Sequence, residues 1–202
     1  MQLILASGSP RRRDLLAETG YDFSVYTAPF DERTVKIADP AIGVQNLARG
    51  KALAACAAYE KEYGSSEDCL FLGADTIVVL DGQPMGKPAD EADARRTLKT
   101  LSGRTHEVYT GVALVYGAKR ETFACRTDVT FYDLTDDEIR RYTASGEPMD
   151  KAGSYGIQGM GRLLIRRMDG DYFNVVGLPV AEVYRALKRH GILPNSGRKS
   201  VL

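Results

Sequence analysis

The chain has no surplus of either charge, few histidines, no closely spaced cysteines and no long apolar run. Lysine plus arginine and aspartate plus glutamate each total 27 among 202 residues. Net charge therefore gives no case for a nucleic-acid or membrane partner, and any affinity for anions must come from local clustering. No apolar stretch approaches the ~18 residues of a membrane span. Residues 1–6 are apolar but too short for a signal-peptide core, with no basic segment before them. The expectation is a cytoplasmic protein. Cys56, Cys69 and Cys125 are an odd count without a Cys-x-x-Cys pair, which suits free, mostly buried thiols in a reducing compartment. His106 and His190 are too little material for a histidine-based metal site or a Ser–His triad. The P-loop pattern and the Gly-x-Gly-x-x-Gly pattern after a strand are both missing, which excludes a P-loop protein and an ordinary dinucleotide-binding enzyme.

What is present is a series of short apolar runs alternating with helix-period segments, the pattern of an α/β protein. Residues 3–6, 70–73 with 76–80, 106–116, 121–132 and 163–168 read as strands, and 23–26 as a short extended piece. Residues 11–18, 41–59, 90–101 and 180–188 read as helices. Thr135 and Glu138 form a capping box for a further helix. Asp81-Gly82 and Asp169-Gly170 read as hairpin turns. The two long strands around Gly117 suggest an antiparallel ribbon, so a mixed central sheet with flanking helices is expected. Residues 194–202 are polar and basic and are expected to fray. No repeat or linker divides the chain, which predicts one domain, 1–202, of two lobes around a cleft.

Ser7-Gly8-Ser9-Pro10-Arg11-Arg12-Arg13 follows the first strand and opens the first helix. Ser9 is placed to cap that helix, Pro10 fits its first position, and Gly8 lets backbone come close to a ligand. Free N–H groups and the helix dipole favour an anion there. Three arginines in the first turn sit at the wrong end of the dipole, each disfavoured by a few tenths of a kcal/mol, about 0.3 or more. A bound phosphate would reverse that, because arginine grips phosphate oxygens in a bidentate fork. Solvated surface arginines are the plainer alternative.

Lys51 lies within the apolar stripe Val44, Leu47, Ala48, Ala52 and Ala55 of the long helix. Either its stem snorkels to a rim or its ammonium meets an anion. Gly73-Ala74-Asp75-Thr76 interrupts an apolar strand, and an acid there needs a partner or a metal; a structural Asp75 bonded to amides is the other reading. Lys87 sits in a Gly86-Lys87-Pro88 turn, a weak signal alone. Glu32, in a polar loop, reads as surface. Residues 147–161 hold four glycines and a proline among acids, Lys151, Tyr155 and Gln158, a shaped loop rather than a core element.

Taken in order, Ser7-Gly8-Ser9-Pro10-Arg11-Arg12, Ala48-Arg49-Gly50-Lys51-Ala52, Gly73-Ala74-Asp75-Thr76, Gly86-Lys87-Pro88, the run from Glu147 to Gly159 and Phe173-Asn174-Val175-Val176-Gly177-Leu178-Pro179 closely resemble the Maf-like nucleotide pyrophosphatases, over residues 2 to about 190. The resemblance implies a fold similar to the inosine triphosphate pyrophosphatases, a homodimer, and cleavage between the α and β phosphates of a nucleoside triphosphate with Mg²⁺ or Mn²⁺. It implies Glu32 and Asp75 as metal ligands, with Asp75, Lys51 and Lys87 catalytic. Ser7, Gly8, Ser9, Arg11, Arg12, Thr76, Gln158, Asp150 and Lys151 are implied to bind substrate; Asp150 and Lys151 alternatively form a structural ion pair. Asp75-Thr76, Arg11 and Gln158 match the subgroup that acts on dTTP and UTP, with modified pyrimidine nucleotides as further candidates. A sister subgroup acts on 7-methylguanosine triphosphate, and a nucleotide-binding regulator of cell division or septum formation is the alternative from another class. Gly50 departs from the family, whose members usually carry a larger residue there. Glycine weakens the helix by about 1 kcal/mol relative to alanine but leaves Lys51 in place.

Overall fold

The computed structural model describes residues 1–195. Its strands are β1 (Gln2–Leu5), β2 (Ser24–Val25), β3 (Cys69–Leu80), β4 (Gln83–Met85), β5 (Thr105–Tyr116), β6 (Lys119–Phe131) and β7 (Ile165–Asp169). The helices are α1 (Pro10–Glu18), α2 (Pro40–Tyr63), α3 (Glu91–Leu101), α4 (Asp136–Ala144), α5 (Tyr172–Val176) and α6 (Val180–Arg189). The strands form one sheet in the order β2-β1-β3-β5-β6-β7, with β4 paired to β3. β1 runs parallel to β2 and β3, whereas β4 is antiparallel to β3 and β7 to β6, so the sheet is mixed, as expected. Among the described residues no helix is long and apolar enough to cross a membrane.

The chain divides into two compact units. The first gathers Met1–Asp75, Thr110–Cys125 and the chain from Gly177 onward; the second holds Thr76–Tyr109 and Arg126–Val176. Strand β3 thus passes from one to the other between Asp75 and Thr76.

In the first unit Ala48, Ala52 and Ala55 of α2 pack with Ile4, Phe71 and Ala113 from β1, β3 and β5. Small side chains bring the helix close to the strands. A Cβ at Gly73 of β3 would overlap the Ala48 carbonyl oxygen, and one at Gly111 of β5 the Val44 carbonyl oxygen. Asp39 caps α2, its Oδ1 accepting from Ile42 N at 2.9 Å, and Gly64 ends the helix at φ +85°.

The second unit has its own core, with Val78 and Leu80 of β3 among Leu98, Leu101, Phe131, Ile139, Tyr142 and Tyr155. Asp90 caps α3, and the expected Thr135–Glu138 capping box starts α4. Asp81 (φ +52°) and Gly82 (φ +74°) make the tight turn between β3 and β4 that their sequence calls for. His106 is buried in this core, sharing a 2.7 Å hydrogen bond with the Tyr155 hydroxyl.

Two local expectations need correction. Asp169-Gly170 is not a hairpin: β7 is the last strand among the described residues and leads into α5, whose Phe173 N is held by Asp171 Oδ1 at 2.8 Å. The Gly73-Ala74-Asp75-Thr76 stretch does not interrupt β3, which runs continuously through it. Of the tail expected to fray, residues 194 and 195 are described: Asn195 N donates to Gly20 O at 2.9 Å and its Nδ2 to Asp22 Oδ2 at 2.5 Å. Residues 196–202 lie outside the described residues.

Candidate active site

The close seating of α2 on β3 decides where Lys51 goes. Along a strand, residues two apart face the same side, so Asp75 shares a face with Gly73, the point where α2 touches the strand. Ala48 and Ala52 flank that point, and Lys51 sits on the same stripe. Its Nζ meets two carboxylates, Asp75 and, at 2.8 Å, Glu32 Oε1. The Lys51 and Asp75 side chains are 22% and 12% exposed, while Glu32 is 57% exposed, so the cluster is sheltered on one side and open on the other. Of the two readings of Lys51, the anionic partner is the one realised. Of the two for Asp75, charge pairing replaces amide bonding as the observed partner.

Glu32 reaches Lys51 from a single 3-10 turn, Glu32–Thr34, whose N-cap Asp31 accepts from Arg33 N at 3.1 Å. The Arg33 guanidinium bonds the same Asp31 and holds that carboxylate below its usual range. Glu32 is thereby left to face the helix. Nothing in its local sequence announces this.

The first loop differs from its reading in one respect. Ser9 occupies the N-cap position of α1 but makes no side-chain capping bond. Instead the Ser7 hydroxyl accepts from Ser9 N at 3.4 Å and from Arg12 Nη1 at 3.2 Å. Arg12 is buried, and its Nε donates to Gly177 O at 2.8 Å. It is both a charge and a strut that ties the loop to the turn between α5 and α6. Burial lowers the Arg12 pKa; the Asp75 charge opposes that, Arg11 adds to it and Glu32 opposes it again. Arg12 therefore feels the charges of Asp75, Arg11 and Glu32. No acidic residue stands in the first turn of α1 to compensate its arginines.

In the second unit Lys87 is exposed in its turn, and the preceding Gly86 carbonyl accepts from Gly153 N at 3.1 Å. Thr76 is half-buried on β3 and Gln158 is exposed at the start of the Gly159–Leu164 3-10 segment. Lys151 Nζ donates to Asp150 Oδ1 at 2.7 Å and to the Glu147 carbonyl at 2.6 Å. The ion pair that was the alternative reading for Asp150 and Lys151 is present. Sequence reasoning named Glu147 only as part of a motif; its carboxylate organises the loop, as set out below.

These residues stand in the order of their motifs along the chain. The chain matches the family model for Maf-like protein over residues 2–190. It belongs to the Maf-like family. A relative from Bacillus thuringiensis subsp. konkukian (strain 97-27), named dTTP/UTP pyrophosphatase, is 46% identical over 191 residues, 95% of this chain and 96% of that protein. A protein of the same name from Bacillus cereus (strain AH187) is 47% identical over equal shares.

The structure supplies a local reason for glycine at position 50. A Cβ at Gly50 would overlap the tip of the Phe30 ring. The ring lies across the helix backbone beside Lys51, two positions before Glu32. What looked like a weakened helix is a seat for an aromatic ring at the base of the turn that delivers Glu32.

Proposed function

We propose that this Maf-like protein hydrolyses dTTP and UTP to the nucleoside monophosphate and pyrophosphate. The observation that carries the reading is the meeting of Lys51 with Glu32 and Asp75 in the unit that also holds the Ser7-Gly8-Ser9 loop; the relatives' shared name points to the substrates.

A triphosphate brings roughly four negative charges, and its loose transition state spreads charge over oxygens, so the protein must supply positioning and positive charge. Arg11, Arg12, Lys51 and Lys87 supply the charge, and Ser7, Ser9 and the Gly8 amide hold phosphate oxygens. Asp75 takes the proton of the attacking water. The water oxygen bonds the α-phosphorus as the bridging α–β bond breaks, and pyrophosphate leaves. Lys51, paired to Asp75, orients that carboxylate. Gln158 reads the base edge, since an amide offers both donor and acceptor, and Thr76 excludes wrong bases. Asp150 and Lys151 serve as the ion pair that shapes the loop.

Glu32 and Asp75 fit a hard divalent cation, Mg²⁺ or Mn²⁺. Among the described residues no group of three or more His, Cys, Asp or Glu converges. The protein thus offers two carboxylates, and phosphate and water oxygens would fill the other positions, the usual manner in which proteins hold Mg²⁺. When bound, such an ion neutralises phosphate charge and polarises the reacting phosphorus. We expect the enzyme to work as a homodimer, which light scattering on the purified protein would test.

Pyrophosphate release from dTTP, UTP, CTP, GTP, ATP and 5-methyl and 7-methyl nucleotides, with Mg²⁺, Mn²⁺ or chelator, tests the whole reading. Metal-dependent release led by dTTP and UTP is the expected result. Activity led by 7-methylguanosine triphosphate would keep the chemistry and overturn the roles of Thr76 and Gln158. No turnover by folded protein with metal would overturn the enzyme reading in favour of a nucleotide-binding regulator.

A further inference from the structure

We propose that Glu147 is a positioning residue for base recognition: together with the buried Tyr142 hydroxyl it forms a post around which residues 156–161, carrying Gln158 at their centre, are wound. This inference rests on the reading of Gln158 given above.

The contacts are confined to one unit and converge on two side chains. Glu147 Oε1 accepts from the Tyr142 hydroxyl at 2.9 Å and from Gly161 N at 3.1 Å, and Oε2 accepts from Met160 N at 2.9 Å. The Tyr142 hydroxyl in turn accepts from Gly156 N at 3.1 Å. Backbone amides on both sides of Gln158 are therefore tied to the same pair, while the Gln158 side chain stays exposed and makes no capping bond of its own. Tyr142 is only 2% exposed and belongs to the core of its unit, so the post has a fixed foot. Burial raises the Tyr142 phenol, which keeps its proton for Glu147.

The glycines of this stretch have a common purpose. A Cβ at Gly161 would overlap the Gly156 carbonyl oxygen and crowd the Tyr142 hydroxyl at 2.8 Å, and one at Gly159 (φ +69°) would meet Glu147 Oε2 at 2.5 Å. The turn closes tightly on the post because nothing but hydrogen projects toward it. The chemistry of the post is also specific. All three groups that reach the Glu147 carboxylate are donors, which only a carboxylate satisfies on both oxygens; a glutamine amide would turn N–H against N–H. Both Glu147 oxygens are taken up in this way, so its role is to hold the loop. Base discrimination by hydrogen bonds depends on that hold, because a misplaced amide loses the contacts that separate one base from another.

The test compares wild type, Glu147→Gln and Tyr142→Phe in two measurements: steady-state kinetics with dTTP, UTP and CTP, and hydrogen–deuterium exchange of the segment spanning 156–161. For Glu147→Gln we expect exchange in that segment to rise about tenfold or more. The KM for dTTP and UTP should rise about tenfold and the preference over CTP should shrink by a similar factor, with kcat at saturation within about threefold of wild type. Tyr142→Phe keeps the ring in the core and should move every readout the same way but less, and it carries the test alone if Glu147→Gln does not fold. Unchanged exchange would overturn the inference. So would a fall in kcat that is equal for all three nucleotides with KM and base preference intact. If wild type turns over none of the three, the pyrophosphatase reading fails and base recognition with it. The exchange arm would still report separately whether Glu147 holds the loop.

Discussion

Lys51 and Lys151 look alike in isolation. Each is largely sheltered, at 22% and 17% side-chain exposure, and each ammonium meets two oxygen partners. They differ in where the partners come from. Lys51 is held by Glu32 from a loop turn and Asp75 from a strand, on the far sides of helix and sheet in sequence. Lys151 is held by its neighbour Asp150 and by the carbonyl of Glu147, four positions back. A lysine that satisfies itself within one turn of chain shapes that turn. A lysine that gathers two carboxylates from distant segments, with Arg12 close enough to feel both of them, concentrates charge that the fold has no local use for. Proximity in sequence thus separates a strut from a site.

The strongest way to break this contrast is at Asp75. Asp75→Asn should cut turnover by about 10³-fold or more while sparing the fold, since a positioned base contributes about 10² to 10⁴; near-normal pyrophosphate release would remove Asp75 from the mechanism. Lys51→Met should lose about 10²-fold, with most of the loss in kcat, because the charge it supplies grows in importance at the transition state. A loss confined to KM would demote it to a binding contact. Acid should act on the second unit. Burial holds His106 at about 4, below its ordinary 6.5. The unfolded chain therefore takes up a proton that the folded chain refuses, so this contribution to stability is complete above pH 6.5, is lost as pH falls toward 4 and then levels off. It amounts to up to about 3 kcal/mol. Thermal melts of wild type and His106→Gln across that window should diverge, and parallel curves would exclude the effect. The smallest change is expected at Lys151, where Lys151→Met should reduce turnover by less than about fivefold and show mainly as faster exchange in its loop. A loss as large as that at Lys51 would erase the distinction between the two lysines.

Much of this was legible in the sequence because its signals are local. An ammonium in an apolar helical stripe, an acid in a buried strand, the capping box at Thr135 and the Asp81-Gly82 turn each announce themselves within a few residues. The element order and the mixed sheet followed from the same periodicities. Glu32 was not legible from its surroundings, because an acid in a polar loop looks like any other until Asp31 and Arg33 satisfy each other and free it to face α2. Arg12 read as a phosphate ligand or a solvated arginine, and its bond to Gly177 depends on a contact 165 positions away. Ser9 read as a cap, but the Ser7 hydroxyl takes the local amide instead. Asp169-Gly170 has hairpin chemistry and no strand to return to, since the choice between strand and helix after such a turn is made by what packs next. Glu147 carried one signal that was available: three glycines at 156, 159 and 161 imply something close that they must avoid.

The bond between Arg12 and the Gly177 carbonyl also sets a timetable. Arg12 leaves the ribosome 165 residues ahead of its acceptor, which follows only after every residue of the second unit has been made. Until then a charge destined for burial has no carbonyl to meet, and the loop before α1 lacks its strut. A messenger cut short between the codons for Gln158 and Gly177 would yield a chain in which the whole set of proposed site residues is present and the loop that cradles phosphate is still unset.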